Sequence, residues 1–352
     1  MKKYLIMAMA AAAITSCSQD EVMEIAQKQA ISFKDAFVEN ATRAAIDGSY
    51  TNAKKNLGSF QVWGTTADNA TATAVNIFNG VEVKATGEAG SYEAPWSYSD
   101  AYTQYWIEGN HYNFVAIAEG NYTMKDADSN GNDLPATKVL VDGTNMPKTI
   151  QISAANAQRD VLYAANPVGE YTNTTSKTVE FTFNHILSKA KFTAKVAENL
   201  DSKYYYTVSN IQILEAAKAS DYTIESKTWS KATETYTVEF GHIMETENAD
   251  FTAKTEPSQL TFGEEAESNW DRLLIPETIN KIKFDVKLYT DNGLVNSYTQ
   301  EIEELALTIE GGKAYNFVFT LPVPGDPIKF TVKTITEWDT THDDYTQDIT
   351  NK

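Results

Sequence analysis

The sequence predicts an all-β fold built as β-sandwiches, and three observations support this. Apolar and polar residues alternate with a period of two in one segment after another. Tyrosine (19) and phenylalanine (15) are abundant alongside threonine, and helical periodicity is scarce beyond the first 16 residues. Such segments suit a pleated strand, which turns one face to a core and the other to water.

The chain opens with Lys2 and Lys3, an apolar stretch from Tyr4 to Ile14, then Thr15 and Ser16. Residues 1–16 therefore read as a secretory signal peptide, because the apolar run is about half the roughly 20 residues that a membrane-spanning helix needs. Ile14-Thr15-Ser16-Cys17 resembles a lipobox, in which a small residue ahead of the cysteine allows cleavage and Cys17 receives acyl chains. The alternative is an ordinary signal peptide beside a free thiol. Cys17 is the only cysteine in the chain, so no internal disulfide is possible. Lipid on Cys17 would anchor the protein through buried methylene groups without spanning the bilayer. Ser18 to Gln29, polar and acidic, reads as a solvated tether.

Next comes ISFKDAFVENATRAA, residues 31–45. Ile31, Phe33 and Phe37 can share one face of a strand, although Asp35 breaks the stripe. The small, polar stretch around Arg43 and Ala44 reads as a protease-accessible segment.

Further along, VEFTFNH puts Val179, Phe181 and Phe183 on one face. KIKFDVKLY does the same with Ile282, Phe284, Val286 and Leu288, leaving Lys281, Lys283, Asp285 and Lys287 opposite. Asp291-Asn292-Gly293 reads as a hairpin turn, since asparagine and glycine tolerate positive φ. NFVFTL and IKFTVKTI are two more strands, joined by PVPGDP, whose prolines exclude a central strand. MKDADSNGNDLPATK and GEYTNTTSKT read as loops. Two sandwich domains are expected, over 44–195 and 196–352, divided where FTFNHILSKAKFTAKV gives way to the polar AENLDSK.

The formal net charge is −19, and the first 43 residues carry five basic and five acidic groups, so the whole imbalance lies beyond them. Such a surface repels phosphate backbones, which excludes nucleic acid as a partner. Solubility is the plainer role for the charge.

Few residues invite chemistry. DADSNGND offers Asp126, Asp128 and Asn130 at positions one, three and five of a calcium loop, with Gly131 at six. Position twelve is Thr137 in place of the bidentate glutamate, so a surface turn is the better reading and no metal site is expected. His111, His185, His242 and His342 are dispersed, no hydrolase or phosphate-loop motif occurs, and His185 reads as a packed or hydrogen-bonded strand residue. The 48 carboxylates single out no pair, so no catalytic residue and no cofactor is expected. Trp96, Tyr102, Tyr105 and Trp106 could form a stacking platform for glycans; alternatively Trp106, Tyr112 and Phe114 fill the core.

Taken in order, the lipobox, the apolar strand, ThrArgAla, QYWIEGNHYNFVAIAE, DVLYAANP, VEFTFNHILSKAKFTAKV, RLLIPET, GGKAYNFVFTL and IKFTVKTITEWD resemble the fimbrillins of Bacteroidetes type V pili, in their Mfa-like branch. The resemblance covers essentially the whole chain. It implies two tandem transthyretin-like β-sandwiches behind a lipoprotein signal peptide (1–16) and a lipidated tether and pro-segment (17–43). It also implies a cell-surface, outer-membrane lipoprotein precursor that becomes part of a fimbrium. An arginine-specific protease cutting between Arg43 and Ala44 would remove the pro-segment, and a strand from a neighbouring pilus subunit would fill the groove left behind. A surface lipoprotein that keeps Cys17 and binds glycans without polymerising is the alternative. At the other end, Tyr345 and Ile349 are too widely spaced to fill successive groove pockets, whereas Ile328, Phe330 and Val332 either swap or form the last strand of their own domain.

Overall fold

The computed structural model of the chain describes residues 29–38, 59–85, 96–120, 138–153, 160–172, 178–196, 201, 203–232, 234–243, 265–268, 271–326, 328–335 and 344–349. Cys17, Arg43, Ala44, the segment from Asp126 to Thr137 and His342 lie outside the described residues. The first strands are β1 (Phe33–Val38), β2 (Ser59–Ala67), β3 (Val75–Ala85), β4 (Trp96–Ser97), β5 (His111–Gly120), β6 (Lys138–Val141), β7 (Pro147–Ser153), β8 (Asp160–Glu170) and β9 (Val179–His185). Then come β10 (Ser188–Val196), β11 (Tyr205–Thr223), β12 (Thr228–Trp229), β13 (Glu234–Ile243), β14 (Glu265–Glu267), β15 (Arg272–Leu274) and β16 (Thr278–Ile279). The last are β17 (Lys281–Thr290), β18 (Gly293–Ile302), β19 (Leu307–Thr308), β20 (Ala314–Leu321), β21 (Ile328–Ile335) and β22 (Asp344–Ile349). A 3-10 turn at Asp100–Tyr102 is the only helical element among the described residues. The all-β expectation holds.

Three sheets carry almost all of these strands. The first runs β1-β9-β8-β5-β2-β3-β4. It curls until its two ends meet, so a single face lines one core: Phe60, Phe78, Trp96, Trp106, Phe114, Phe181 and Phe183 share a cluster. Gly64 lets two of these rings close in, since a Cβ there would stand 2.7 Å from the Phe114 ring. The middle strands are buried on both faces. Phe114 and Ala116 of β5 point into the curl, while Val115 and Ile117 join a second cluster with Met146, Ile150 and Ile152 of the β6–β7 region and Tyr222 of β11.

The second sheet runs β14-β10-β20-β21-β22 with β15 also on β10, and the third runs β18-β17-β11-β7-β6 with β12 and β13 on β11. Between them lies a third core, in which Phe192, Phe317 and Phe319 face Phe240, Phe284 and Val286. β9 and β17 show the expected alternation, with Val179, Phe181, Phe183 and with Ile282, Phe284, Val286, Leu288 all buried. The Asp291–Asn292 turn joins β17 to β18, and Gly293, with φ +109°, supplies the left-handed residue. β20 and β21 pair as the expected antiparallel hairpin. β21 also pairs with β22, so Ile328 and Val332, both buried, belong to a strand with neighbours on each side, and β22 forms the sheet edge.

The division at 195/196 assigns β10 to the first half, yet β10 pairs in parallel with β20 along its whole length, and Ala190, Phe192, Ala194 and Val196 sit in the second half's core. The chain changes sheets at Ile186 and Leu187, immediately after β9. The β6–β7 hairpin in turn pairs with the far end of β11, so the third sheet draws on both halves of the sequence.

Candidate functional site

The N-terminal sheet is closed by a strand that comes from the segment ahead of Arg43. ISFKD is a strand former because Ile31 and Phe33 lie two apart, and they are buried to 1% and 3% exposure. β1 runs parallel to β9 with Phe33 opposite Val179 and Ala36 opposite Phe181. That register sets three steps of β1 against two of β9, a bulge at Lys34 and Asp35, where the apolar stripe breaks in the sequence.

The same segment is bonded on its other side. Ile31 N–H donates to the Gln104 carbonyl at 2.8 Å, and Trp106 N–H donates to the Gln29 carbonyl at 2.9 Å. Val179 N–H on β9 donates to the Ser32 carbonyl at 2.9 Å, and the Tyr98 hydroxyl donates to the Ile31 carbonyl at 2.5 Å. Residues 29–38 thus bridge β9 at one end of the curled sheet and the loop after β4 at the other. Phe33 fills the middle of the curl. Its ring lies 5.5 Å from Phe78, 5.6 Å from Tyr98 and 5.9 Å from Phe181, the last stacked. Burying a side chain of this size is worth about 1.5–3 kcal/mol, and each ring pair adds roughly 0.5–1.5 kcal/mol. Burial also pushes the Tyr98 hydroxyl pKa up, so it stays a donor at neutral pH.

Of the four residues expected as a glycan platform, the structure separates two from two. Trp96 and Trp106 are each 4% exposed and pack on Phe60 and Tyr171, so neither ring is available to a ligand. Tyr102 and Tyr105 are 53% and 49% exposed. The tryptophans are held inside because Trp106 N–H donates to the Gln29 carbonyl and Trp96 lies on a strand paired to β3. Tyr98, Gln104 and Gln29, which tie the slot together, are not marked by any sequence motif; their partners lie some 67 to 77 positions away in the chain, and only the aromatic richness around Trp96 pointed there.

His185 is the buried, hydrogen-bonded strand residue expected, with Nδ1 2.5 Å from the Asp160 carboxylate at the start of β8. Among the described residues no cluster of three His, Cys, Asp or Glu side chains could hold a metal ion. No helix among them is long and apolar enough to cross a membrane.

A fimbrillin-like family model matches residues 42–338 of the chain. The chain belongs to the fimbrillin-like family. Fimbrillin-like proteins are structural subunits of pili and surface adhesins, so this chain is a non-enzymatic surface component of that class. Its fold resembles a fimbrial protein from Bacteroides vulgatus at 16% identity, with 91% of this chain and 99% of the other aligned and a TM-score of 0.57. A candidate cell adhesion protein from Bacteroides uniformis aligns over 88% of this chain and 98% of its own at 13% identity and a TM-score of 0.42. No curated protein matches. The match begins at residue 42, so the strand that closes this fimbrillin-like sheet lies ahead of the matched region.

Proposed function

We propose that this chain is a pilus subunit exported as a lipoprotein on Cys17, released by an arginine-specific cut after Arg43, and assembled by strand exchange into two-sandwich protomers. The observation that carries this reading is the position of residues 29–38. They precede Arg43, they are bonded on both sides, and they supply Ile31 and Phe33 to the core.

A cut after Arg43 would leave this strand held only by noncovalent contacts. Its loss would expose a slot floored by Phe78, Phe114 and Phe181, with backbone donors on Val179 and Trp106 and an acceptor on Gln104. An open slot of this kind accepts an extended segment with apolar residues at alternate positions. Supplied by a neighbour, that segment makes a head-to-tail contact that does not close on itself, so a filament grows. In this chain β22 is the edge strand free to be given up, although its apolar residues, Tyr345 and Ile349, stand four apart. The acceptor function does not depend on whether this end donates.

Arg43→Ala tests the reading. The variant is expected to stay a full-length lipidated monomer at the cell surface, and normal polymer formation by it would show that the cut is not the trigger.

A further inference from the structure

Apart from the strand slot, the described residues surround an open cavity of ≈ 720 Å³ beside the β3–β4 edge. Small-ligand sites commonly fall between about 300 and 1,000 Å³. Asn79, Gly80, Val81 and Glu82 of β3 form one side, and Ser97, Tyr98, Ser99 and Tyr102 form the other. Gly80 has φ +66°, which bends β3 away from a regular edge at this point.

The groups that meet here are of three kinds. Tyr102 presents a ring more than half exposed on a short turn that is itself fixed: Tyr102 N–H donates to the Ser99 carbonyl at 2.9 Å, and the Ser99 hydroxyl caps Ala101 N–H at 3.4 Å. Ser97, Ser99 and Asn79 supply groups that both donate and accept. Glu82 supplies a carboxylate, and Lys84 pairs with it at 3.0 Å, so the wall carries no net charge.

A saccharide ring needs this combination. Its C–H face lies on an aromatic ring, and its hydroxyls exchange hydrogen bonds with mixed donors and acceptors. Phosphate or sulfate does not fit, since the one cation is already paired and the chain carries a net charge of −19. We infer that this cavity binds a neutral terminal saccharide, with Tyr102 as the stacking ring and Glu82, Ser97 and Ser99 as the hydroxyl partners. Each of these residues lies in the chain beyond Arg43, while Tyr98 in the cavity wall is bonded to Ile31 ahead of it, so the cavity is tested in the chain that keeps residues 29–38.

The test uses the intact, uncleaved chain on an immobilised panel of neutral oligosaccharides ending in galactose, glucose, mannose or fucose. At least one is expected to bind, and Tyr102→Ala is expected to weaken it about tenfold, the size of one stacking contact. Glu82→Gln weakens it as well. Tyr105→Ala, an equally exposed tyrosine that does not line the cavity, leaves it unchanged. Thermal unfolding of each variant shows that the fold is retained. No binding to any member of the panel overturns the inference. So does binding that survives Tyr102→Ala, or that falls equally with Tyr105→Ala.

Discussion

The Tyr98 hydroxyl donates a 2.5 Å hydrogen bond to the carbonyl of Ile31, 67 residues earlier in the chain. This bond fastens the loop that carries the aromatic cluster to β1's segment, which is the only strand ahead of Arg43 among the described residues. If that strand is a removable plug, Tyr98→Phe should affect only the form that still holds it. In the uncleaved chain the substitution keeps the ring 5.6 Å from Phe33 and loses the bond, at a cost of about 1 kcal/mol in urea unfolding. In the chain cut after Arg43 and freed of residues 29–38, the same substitution is expected to change stability by much less. An equal loss in both forms would mean that Tyr98 acts elsewhere.

Phe33 makes the larger contribution. Its ring packs against those of Phe78, Tyr98, Phe114 and Phe181, within the core of the curled sheet. Phe33→Ala in the uncleaved chain is expected to cost about 3–5 kcal/mol by denaturant titration. Premature loss of the strand should also follow, seen as protease sensitivity at residues 29–38. A loss under 1 kcal/mol would place the strand outside the core.

The buried pair Asp160 and His185 joins the start of β8 to the end of β9, just where the chain leaves the first sheet. Their side chains are 0% and 1% exposed, so neither has water to fall back on. Removing the carboxylate takes a buried hydrogen-bond partner from His185, and Asp160→Ala is expected to destabilise by about 1–3 kcal/mol. Asp160→Asn, which keeps the shape and one acceptor, is expected to cost less. Equal melting of wild type and Asp160→Ala would contradict this.

Glu277 gives the fold a pH dependence of definite sign. Burial pushes its pKa up to about 7, against the hydrogen bond it accepts from Ala217 N–H at 2.6 Å. The unfolded chain releases that proton at the ordinary value of 4.5, so between pH 4.5 and 7 the folded state holds more protons. The contribution is full below pH 4.5 and is lost as pH rises through 7. Melting curves across this window should show stability falling with pH more steeply in wild type than in Glu277→Gln, and identical slopes would remove Glu277 as the cause.

Much of the fold could be read from the sequence, and the exceptions have physical causes. β9 and β17 were legible because each is buried on one face only, which writes alternation into VEFTFNH and KIKFDVKLY. β5 is buried on both faces, so the alternation of Phe114 with Val115 and of Ala116 with Ile117 is between two cores and leaves no polar phase to read. FTFNHILSKAKFTAKV is continuous in character, so the change of sheets at Ile186 and Leu187 leaves no mark in it. The strand at Ile31 and Phe33 was visible, and even its flaw at Asp35 marks the bulge. The tryptophans were ambiguous for a different reason. An aromatic ring reads the same in a core and on a surface, and the contacts that bury Trp96 and Trp106 come from Phe60 and Tyr171, far along the chain.

The N-terminal residue of the form present on the cell surface tests the central claim most directly, by mass spectrometry of the shed or extracted protein. A mature chain beginning at Ala44, with residues 29–38 absent from the assembled subunit, is the expected result. A mature chain beginning at acylated Cys17 in assembled polymers would contradict it, because the slot would then still hold its own strand.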